Sequence, residues 1–500
     1  MPPARGLVHT CPREHRPGTR LDRDAGPTGA QLRGAELRGA EPRGQHRALD
    51  RRIAALAIPA LGSIAAEPLY NLADTAIVGH LGRVPLDSLA IATSVLSIVG
   101  WLAVFLSMAT TSTVARLAAA AEGSAEAGRV VGAAYLVAAV WGVVTSVVVM
   151  VVASPVAQAL GANGAVLAGA TQYLRAAAVG VPFLYISFAG NGHLTGLANA
   201  RTPLRIAISA NVLNVAAEVI LVFGLHTGLT GSAWGTVAAQ VAAAAAYARA
   251  SARQEKARPR RPGRAEIRRV LTDAHRLSVR TIALGAVPLA ATAIVARLGP
   301  VALGGQQVAY RLWYLLSLSL DALAIPAQVY VSAAVGAGDP DSARRVGRRT
   351  LLLGLYAGTA LGVLTALLAL AAPSVFTSDP AIRHAAVIGL LASALTQPLA
   401  ALAFVLDGLI LGIADYVALR RAMILAIGGF VPLAILTARF HWLGLPGVWA
   451  ALGLWLAARS VILGRRWAAH VRATTVSPEQ EQAERCPSGP VLPMTPNGTA

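Results

Sequence analysis

The side chains in this sequence that could do chemistry are carboxylic acids inside long apolar segments. Asp74 and Glu218 lie in two such segments, and each has a polar residue four positions earlier, Tyr70 and Asn214, on the same helical face. Thr236 lies at a similar depth in a third segment. A charge in hydrocarbon costs about 2.5–3.5 kcal/mol, so each acid needs a partner, a cavity or a function. We therefore predict a cation-coupling site formed by these five residues, with Glu218 paired to a buried donor as the alternative.

The chemistry of the predicted site suits two coupling ions. Two facing carboxyl groups cannot both stay charged in a buried place, so they would share a proton. Carboxylate, amide and hydroxyl oxygens are equally suitable ligands for a hard cation such as Na⁺. The coupling ion is thus predicted to be H⁺ or Na⁺, with no organic cofactor, metal centre or nucleophilic cluster.

A second group of polar residues lies in other apolar segments. Asp321 has Gln328 seven residues later on the same helical face, and Asp407 occupies the repeat position that matches Asn191. These four residues are predicted to line a substrate cavity. A structural hydrogen-bonded pair of Asp321 and Asp407 is the alternative.

The elements that must position these residues are membrane-spanning helices. Hydrophobic residues make up 55% of the 500-residue chain and charged residues only 13%, whereas soluble domains carry about 25% charged residues. A bilayer core takes about 20 apolar residues per helix. We therefore predict an all-α membrane protein with about twelve transmembrane helices. The predicted helices lie near 53–79, 86–115, 130–153, 167–197, 204–225, 230–251, 275–297, 303–335, 347–371, 383–413, 417–438 and 443–467.

The formal charge of +19 does not indicate a nucleic-acid partner, because the arginines lie in the tails and short loops without interleaved aromatic residues. Alternate loops are arginine-rich, and they fall on one side of the membrane. The positive-inside rule then places both termini in the cytoplasm of a bacterial plasma membrane protein.

The sequence contains an internal repeat. The segment DTAIVGHLG (74–82) returns as ATAIVARLG (291–299), 217 residues later, so that Asp74 aligns with Ala291. Six helices have been duplicated in parallel orientation, and ion coupling is expected in the first copy only. The predicted domains are a disordered tail (1–50), a first lobe (51–251), a basic cytoplasmic linker (252–273), a second lobe (274–470) and a disordered tail (471–500).

The sequence resembles the multidrug and toxic compound extrusion (MATE) family, in the branch named after a DNA-damage-inducible protein. The resemblance covers about residues 50 to 470 and rests on PLYNLADTAIVGHLG (68–82), ARTPLRIAISANVLNVAAEVILVFG (200–224), GLTGSAWGT (228–236), LDALAIPAQ (320–328) and FVLDGLILGIAD (404–415). It implies two pseudo-symmetric six-helix lobes in a V-shaped arrangement. It also implies export of amphipathic, often cationic, compounds in exchange for H⁺ or Na⁺.

The resemblance also implies residue roles. The family's coupling residues correspond to the five residues of the predicted cation-coupling site. Its bending proline corresponds to Pro59, which is the predicted hinge, and a fourth-helix asparagine corresponds to Asn191. This chain departs from the family in having Glu218 where aspartate is usual and in lacking the seventh-helix acid of sodium-coupled relatives, which favours protons. The expected partners are amphipathic small molecules and lipid, for a monomer that is not an enzyme. A flippase for lipid-linked precursors and a non-transporting receptor or membrane enzyme are the competing hypotheses.

Overall fold

The computed structural model describes residues 42–121 and 123–475, which form thirteen α-helices and contain no β-strand. The chain divides after Asp50 into two units, and residues 42–50 are the described part of the first unit. The helices are α1 Pro42–Gly79, α2 Arg83–Ala119, α3 Ser124–Ala159, α4 Gly164–Ala178, α5 Val181–Gly196, α6 Arg201–Val219, α7 Leu229–Ala252, α8 Arg264–Leu298, α9 Pro300–Gly336, α10 Pro340–Phe376, α11 Pro380–Gly412, α12 Tyr416–Arg439 and α13 Gly444–Thr475.

The predicted all-α membrane protein is confirmed. Ten helices are long and apolar enough to cross a membrane, and α4 with α5 makes an eleventh span that bends by 49°. The bend lies where Gly180 precedes Pro182, since proline cannot donate to the previous turn. The remaining predicted span, 230–251, corresponds to α7, which is rich in alanine and hydroxyl residues. Helix α7 is not among those ten helices.

Several predicted boundaries need correction because helices continue past their apolar parts. Helix α1 begins at Pro42, inside the predicted disordered tail, and α13 ends at Thr475. Helix α8 begins at Arg264, inside the predicted linker 252–273. Hydropathy detects only the part of a helix that lies in lipid, whereas charged turns extend it into water. The rest of the two predicted tails, 1–41 and 476–500, lies outside the described residues.

Each half of the repeat packs around its own core. In the first half, α2 and α3 pack on α4 and α5, and α6 packs on α7. In the second half, α8 to α13 enclose a large core in which the Trp313 and Trp449 rings lie 6.0 Å apart in edge-to-face contact. These bundles fix the helices that carry the polar residues.

The charged segment between the halves binds the start of α3. Arg129 donates to Glu266 at 2.8 Å, and Arg269 pairs with Glu126 at 3.2 Å. The backbone N–H of Arg260 donates to the Gly128 carbonyl at 3.0 Å. The predicted basic linker is therefore packed against the first half of the chain in this region.

The two halves meet at the ends that the arginine pattern assigns to the cytoplasm, here called the inner ends. The Gln328 amide of α9 donates to the Met108 carbonyl of α2 at 2.8 Å and to the Ser112 hydroxyl at 2.6 Å. Val329 packs beside these bonds in an apolar cluster with Leu56, Ala60, Ala115 and Ala200 of the first half. The inner ends are thus closed by both hydrogen bonds and apolar packing.

Gly336 is required for this closure, and its replacement by alanine should open it. A methyl group at Gly336 would lie 1.9 Å from the Arg116 carbonyl oxygen, so α2 and α9 must move apart. We expect a longer distance between spin labels at Ala121 and Asp341 in electron–electron resonance, after both native cysteines are replaced with serine. Gly428→Ala, which places a methyl where no atom lies within 4 Å, is the matched control. An unchanged distance distribution would contradict the prediction.

Candidate functional site

Three helices of the first half bring the predicted coupling residues together. Helix α1 carries Asp74, α6 carries Glu218, and α7 supplies hydroxyl groups opposite them. Asp74 is 2% exposed and Glu218 is fully buried. The close approach of α6 and α7 depends on Gly235, because a methyl there would lie 3.1 Å from the Glu218 nitrogen. A π-helical turn follows at Ile220–Gly224, a feature often found at functional sites.

Hydrogen bonds connect the site residues through Thr236. Its hydroxyl donates to the Ser232 carbonyl at 3.2 Å and accepts from the Asn214 amide at 3.2 Å. The Tyr70 hydroxyl lies 2.9 Å from the same oxygen. Because a hydroxyl has one proton to give, Tyr70 must be the donor in this contact. Ser232 then donates to Asp74 Oδ1 at 2.7 Å.

The site holds more acceptors than donors. The carboxyl groups of Asp74 and Glu218 lie near each other. Neither Glu218 oxygen, nor Asn214 Oδ1, accepts a hydrogen bond within the described residues. Buried oxygens without donors are costly, and two facing carboxylates repel each other. A proton or a bound cation would supply what these oxygens lack.

Two further residues belong to this site and were not predicted. Ser232, which binds Asp74, lies four residues before Thr236 and shares its helical face, so spacing alone could have found it. Tyr173 of α4 is buried and lies near Ser232 and Thr236. Nothing in the local sequence singles out Tyr173, because the contact depends on how α4 packs.

The second half contains a buried ionic centre around Asp407. This carboxylate of α11 forms ion pairs with Arg280 of α8 and Arg459 of α13, and all three side chains are almost fully buried. Asp321 of α9 interacts electrostatically with both arginines. The Arg459 guanidinium also lies over the Phe404 ring, 5.5 Å from its centroid. Among the described residues, no hydrogen bond joins Asp321 to Asp407, and both carboxyl groups lie near the two arginines.

The residues predicted to line one substrate cavity make no hydrogen bond to each other among the described residues. Their partners nevertheless meet at Ser107 and Met108 of α2, because Arg280, which pairs with Asp407, also contacts Met108 Sδ at 3.5 Å. Asp407 lies in the ionic centre, and Gln328 bonds α2 at the inner closure. Asn191 remains in the first half, where its amide donates to the Ser107 hydroxyl at 3.2 Å. Asp321 is the one of the three second-half residues that is partly exposed.

The predicted hinge lies in a continuous helix. Helix α1 passes through Pro59 and Pro68 without interruption. The Ser63 hydroxyl donates to the Pro59 carbonyl at 3.1 Å, and the Asn211 amide of α6 donates to the Ala66 carbonyl at 2.8 Å. These side chains satisfy carbonyls along the proline-containing part of the helix.

Comparison with known families gives a double match. The profile of the MatE family matches residues 59–220 and again residues 278–439. The two matched segments coincide with the two copies of the internal repeat. The family match therefore confirms the duplication inferred from the sequence.

Known proteins match most of the chain. Protein DETOXIFICATION 44, chloroplastic, of Arabidopsis thaliana is 32% identical, and the alignment covers 82% of this chain and 80% of that protein. DNA damage-inducible protein F of Escherichia coli is 27% identical, with coverage of 85% and 94%. The likeness extends to a bacterial member of the branch expected from the sequence.

Solved structures share the fold. The Vibrio cholerae MATE transporter VcmN in its bent form has a TM-score of 0.79 at 17% identity, with 86% of this chain and 99% of that chain covered. A MOP superfamily transporter from Pyrococcus furiosus has a TM-score of 0.78 at 19% identity, with coverage of 91% and 100%. With the family profile matching in both halves, this chain belongs to the MATE family of membrane transporters.

Proposed function

We propose that this protein is a secondary active antiporter that exports amphipathic compounds, cationic ones among them, in exchange for protons or sodium ions. The observation that carries this proposal is the surplus of buried acceptor oxygens at Asp74, Asn214 and Glu218. Such a site is stable when it holds a positive ion and is strained when it is empty. Loading and release of that ion can therefore drive a change between two conformations.

The proton is the coupling ion that we favour. Two neighbouring buried carboxyl groups form an arrangement in which one shared proton can remove the repulsion and make a hydrogen bond. Sodium would need several oxygen ligands around one point. The Thr236 hydroxyl oxygen already accepts hydrogen bonds from the Asn214 amide and the Tyr70 hydroxyl, so its lone pairs are not free for sodium, which supports the proton.

We further propose that the protein works as a monomer in a bacterial plasma membrane, with both termini in the cytoplasm. The loop arginines support this orientation through the positive-inside rule, and the Escherichia coli relative supports a bacterial setting. Several Arabidopsis relatives are named chloroplastic, and export from that compartment is the alternative setting. No nucleic-acid or organic cofactor partner is proposed.

Gradient-driven transport tests this function. We expect inverted membrane vesicles that contain the full chain to accumulate a cationic dye when a proton gradient is imposed. Collapsing the proton gradient should stop uptake, while replacing sodium with potassium should leave it unchanged. Uptake that follows sodium instead would identify sodium as the coupling ion. Lack of uptake under both gradients would overturn the proposal.

The flippase hypothesis has a different expected result in the same vesicles. A lipid-linked precursor carries pyrophosphate, which calls for an open basic cavity. In the second half, however, Arg280 and Arg459 are buried and paired with Asp407. Translocation of a labelled lipid-linked precursor, without dye uptake, would favour the flippase over the antiporter.

A further inference from the structure

Arg311 is an exposed cation inside a membrane-spanning helix. It lies eleven residues into α9, roughly 16 Å along the axis from Pro300. Its side chain is exposed, and it forms no hydrogen bond or ion pair with the described residues. An unpaired ionisable residue within a span points to a function.

The helical phase of α9 places Arg311 on the side of the helix that contacts the first half at the inner ends. Val329, which packs against α1 and α2 at the inner ends, lies eighteen residues after Arg311, which is five full turns. Both residues therefore lie on one face of α9. At its inner end this face is buried against the first half, and at Arg311 it is open.

Helix α2 is the counterpart of α9 in the first half of the repeat, and it contacts α9 at the inner ends. Ser112 accepts the inner hydrogen bond from Gln328, and Ser94 lies eighteen residues before it, again five turns. Ser94 is exposed and corresponds to Arg311 at the repeat offset of 217 residues. We call the space between Ser94 and Arg311 the outer cleft. Ser94 and Arg311 thus lie at equivalent positions of the two halves, on the helix faces that meet at the inner ends.

Aromatic rings lie beside the guanidinium. Tyr314, three residues after Arg311 and 41% exposed, stacks on Tyr310 at a centroid distance of 6.4 Å. Tyr310 stacks in turn on the buried Trp313 at 5.8 Å. The exposed Tyr314 ring is thus held by packed neighbours and offers a rigid surface for a planar ring.

The charges of the described residues leave the outer cleft positive. Of the carboxyl groups described in the membrane-spanning and outer parts of the helices, Asp74 lies near Glu218 and Asp321 lies near the Asp407 ion pairs, while Asp87 of α2 is paired with Arg83 at 3.7 Å. Arg311 therefore needs a counter-ion from outside the protein. The planar fork of a guanidinium matches a carboxylate with two parallel hydrogen bonds.

We propose that Arg311 and Tyr314 form a subsite for the carboxylate and adjoining ring of an aromatic amphiphile. The inference rests on the proposed export function and narrows its substrate class. Compounds with a carboxylate, alone or as zwitterions, bind at this subsite. A purely cationic compound gains nothing from Arg311.

A matched pair of dyes tests the subsite. Rhodamine 123 is the methyl ester of rhodamine 110, so the two share one ring system and differ in a free carboxylate. We expect Arg311→Gln to weaken rhodamine 110 binding to the purified full chain about tenfold, as for loss of a charge-assisted hydrogen bond. Binding of rhodamine 123 should stay within about twofold, and Arg311→Lys should keep part of the preference. Fluorescence anisotropy measures binding, and uptake by inverted vesicles measures export.

The control is Arg297→Gln, which removes an exposed arginine at the outer end of α8; both dyes should bind as to the unmodified chain. Equal effects of Arg311→Gln on both dyes, or none on either, would overturn the subsite. Export of rhodamine 123 with no binding of rhodamine 110 would also overturn it and leave the antiporter intact. Binding of rhodamine 110 that depends on Arg311, without export of either dye, would support the subsite and count against the antiporter.

Discussion

Asp74→Asn should abolish gradient-driven dye export while the protein remains folded. Asparagine has the shape of aspartate, and its Oδ1 can still accept the hydrogen bond from Ser232. It cannot exchange a proton, however, so the coupling step is lost. We expect the rate of uphill uptake to fall at least about tenfold, since loss of one charge-assisted interaction has that size. Glu218→Gln should show the same loss, and the double variant should be no worse than either single variant.

The matched control is Asp87→Asn, which changes an exposed aspartate paired with Arg83. Its uptake should equal that of the unmodified chain. Thermal melting in detergent should show that Asp74→Asn and Glu218→Gln are folded. Uphill export by both site variants at the normal rate would remove Asp74 and Glu218 from the coupling mechanism.

Asp407→Asn should destabilise the protein more than any surface substitution. It leaves Arg280 and Arg459 buried with no full counter-charge from α11. Breaking a buried ion pair by removing one partner costs about 3–5 kcal/mol of unfolding free energy. We expect a large fall in the denaturant midpoint of the purified protein. Asp341→Asn, on an exposed first turn of α10, should change it little.

A compensated variant separates charge from packing at the same position. The triple variant Asp407→Leu, Arg280→Met and Arg459→Met removes every charge of the fully buried ion pairs and leaves only Asp321, which is partly exposed. Replacement of a whole buried ion cluster by apolar residues is often neutral or stabilising. We therefore expect the triple variant to recover most of the stability lost in Asp407→Asn. If the triple variant recovers neither stability nor expression, the ionic centre has a packing role that methionine cannot fill.

The coupling site could be predicted because its information is local. Four-residue spacing places Tyr70 with Asp74 and Asn214 with Glu218, and the structure brings all four side chains to one place. The rule that a charge in lipid needs a partner identifies such residues without any alignment. Thr236 of α7 could be predicted because it lies at a depth in the membrane similar to that of Asp74 and Glu218.

The sequence predicts the acids of the ionic centre, Asp321 and Asp407, but not its arginines. Arg280 and Arg459 lie in apolar segments as clearly as Asp407 does, and burying a guanidinium is equally costly. Pairing these residues with Asp407 would still have required the fold. Gln328 illustrates the remaining limit, because its acceptor Ser112 is 216 residues away and no local pattern encodes so distant a contact.

The first half leaves acceptor oxygens unsatisfied, and the second half presents guanidinium groups. A coupling cation and a carboxylate substrate would therefore seek different halves, and neither would displace the other from its ligands. Exchange then cannot arise from direct competition. In the proposed antiporter, exchange would then depend on a contact between the halves that either occupant could open, such as the hydrogen bonds from Gln328 to α2. Transport kinetics in which the coupling ion and the carboxylate substrate are both varied should then show mixed and not competitive inhibition. The contact between the halves would set the order in which the two bind.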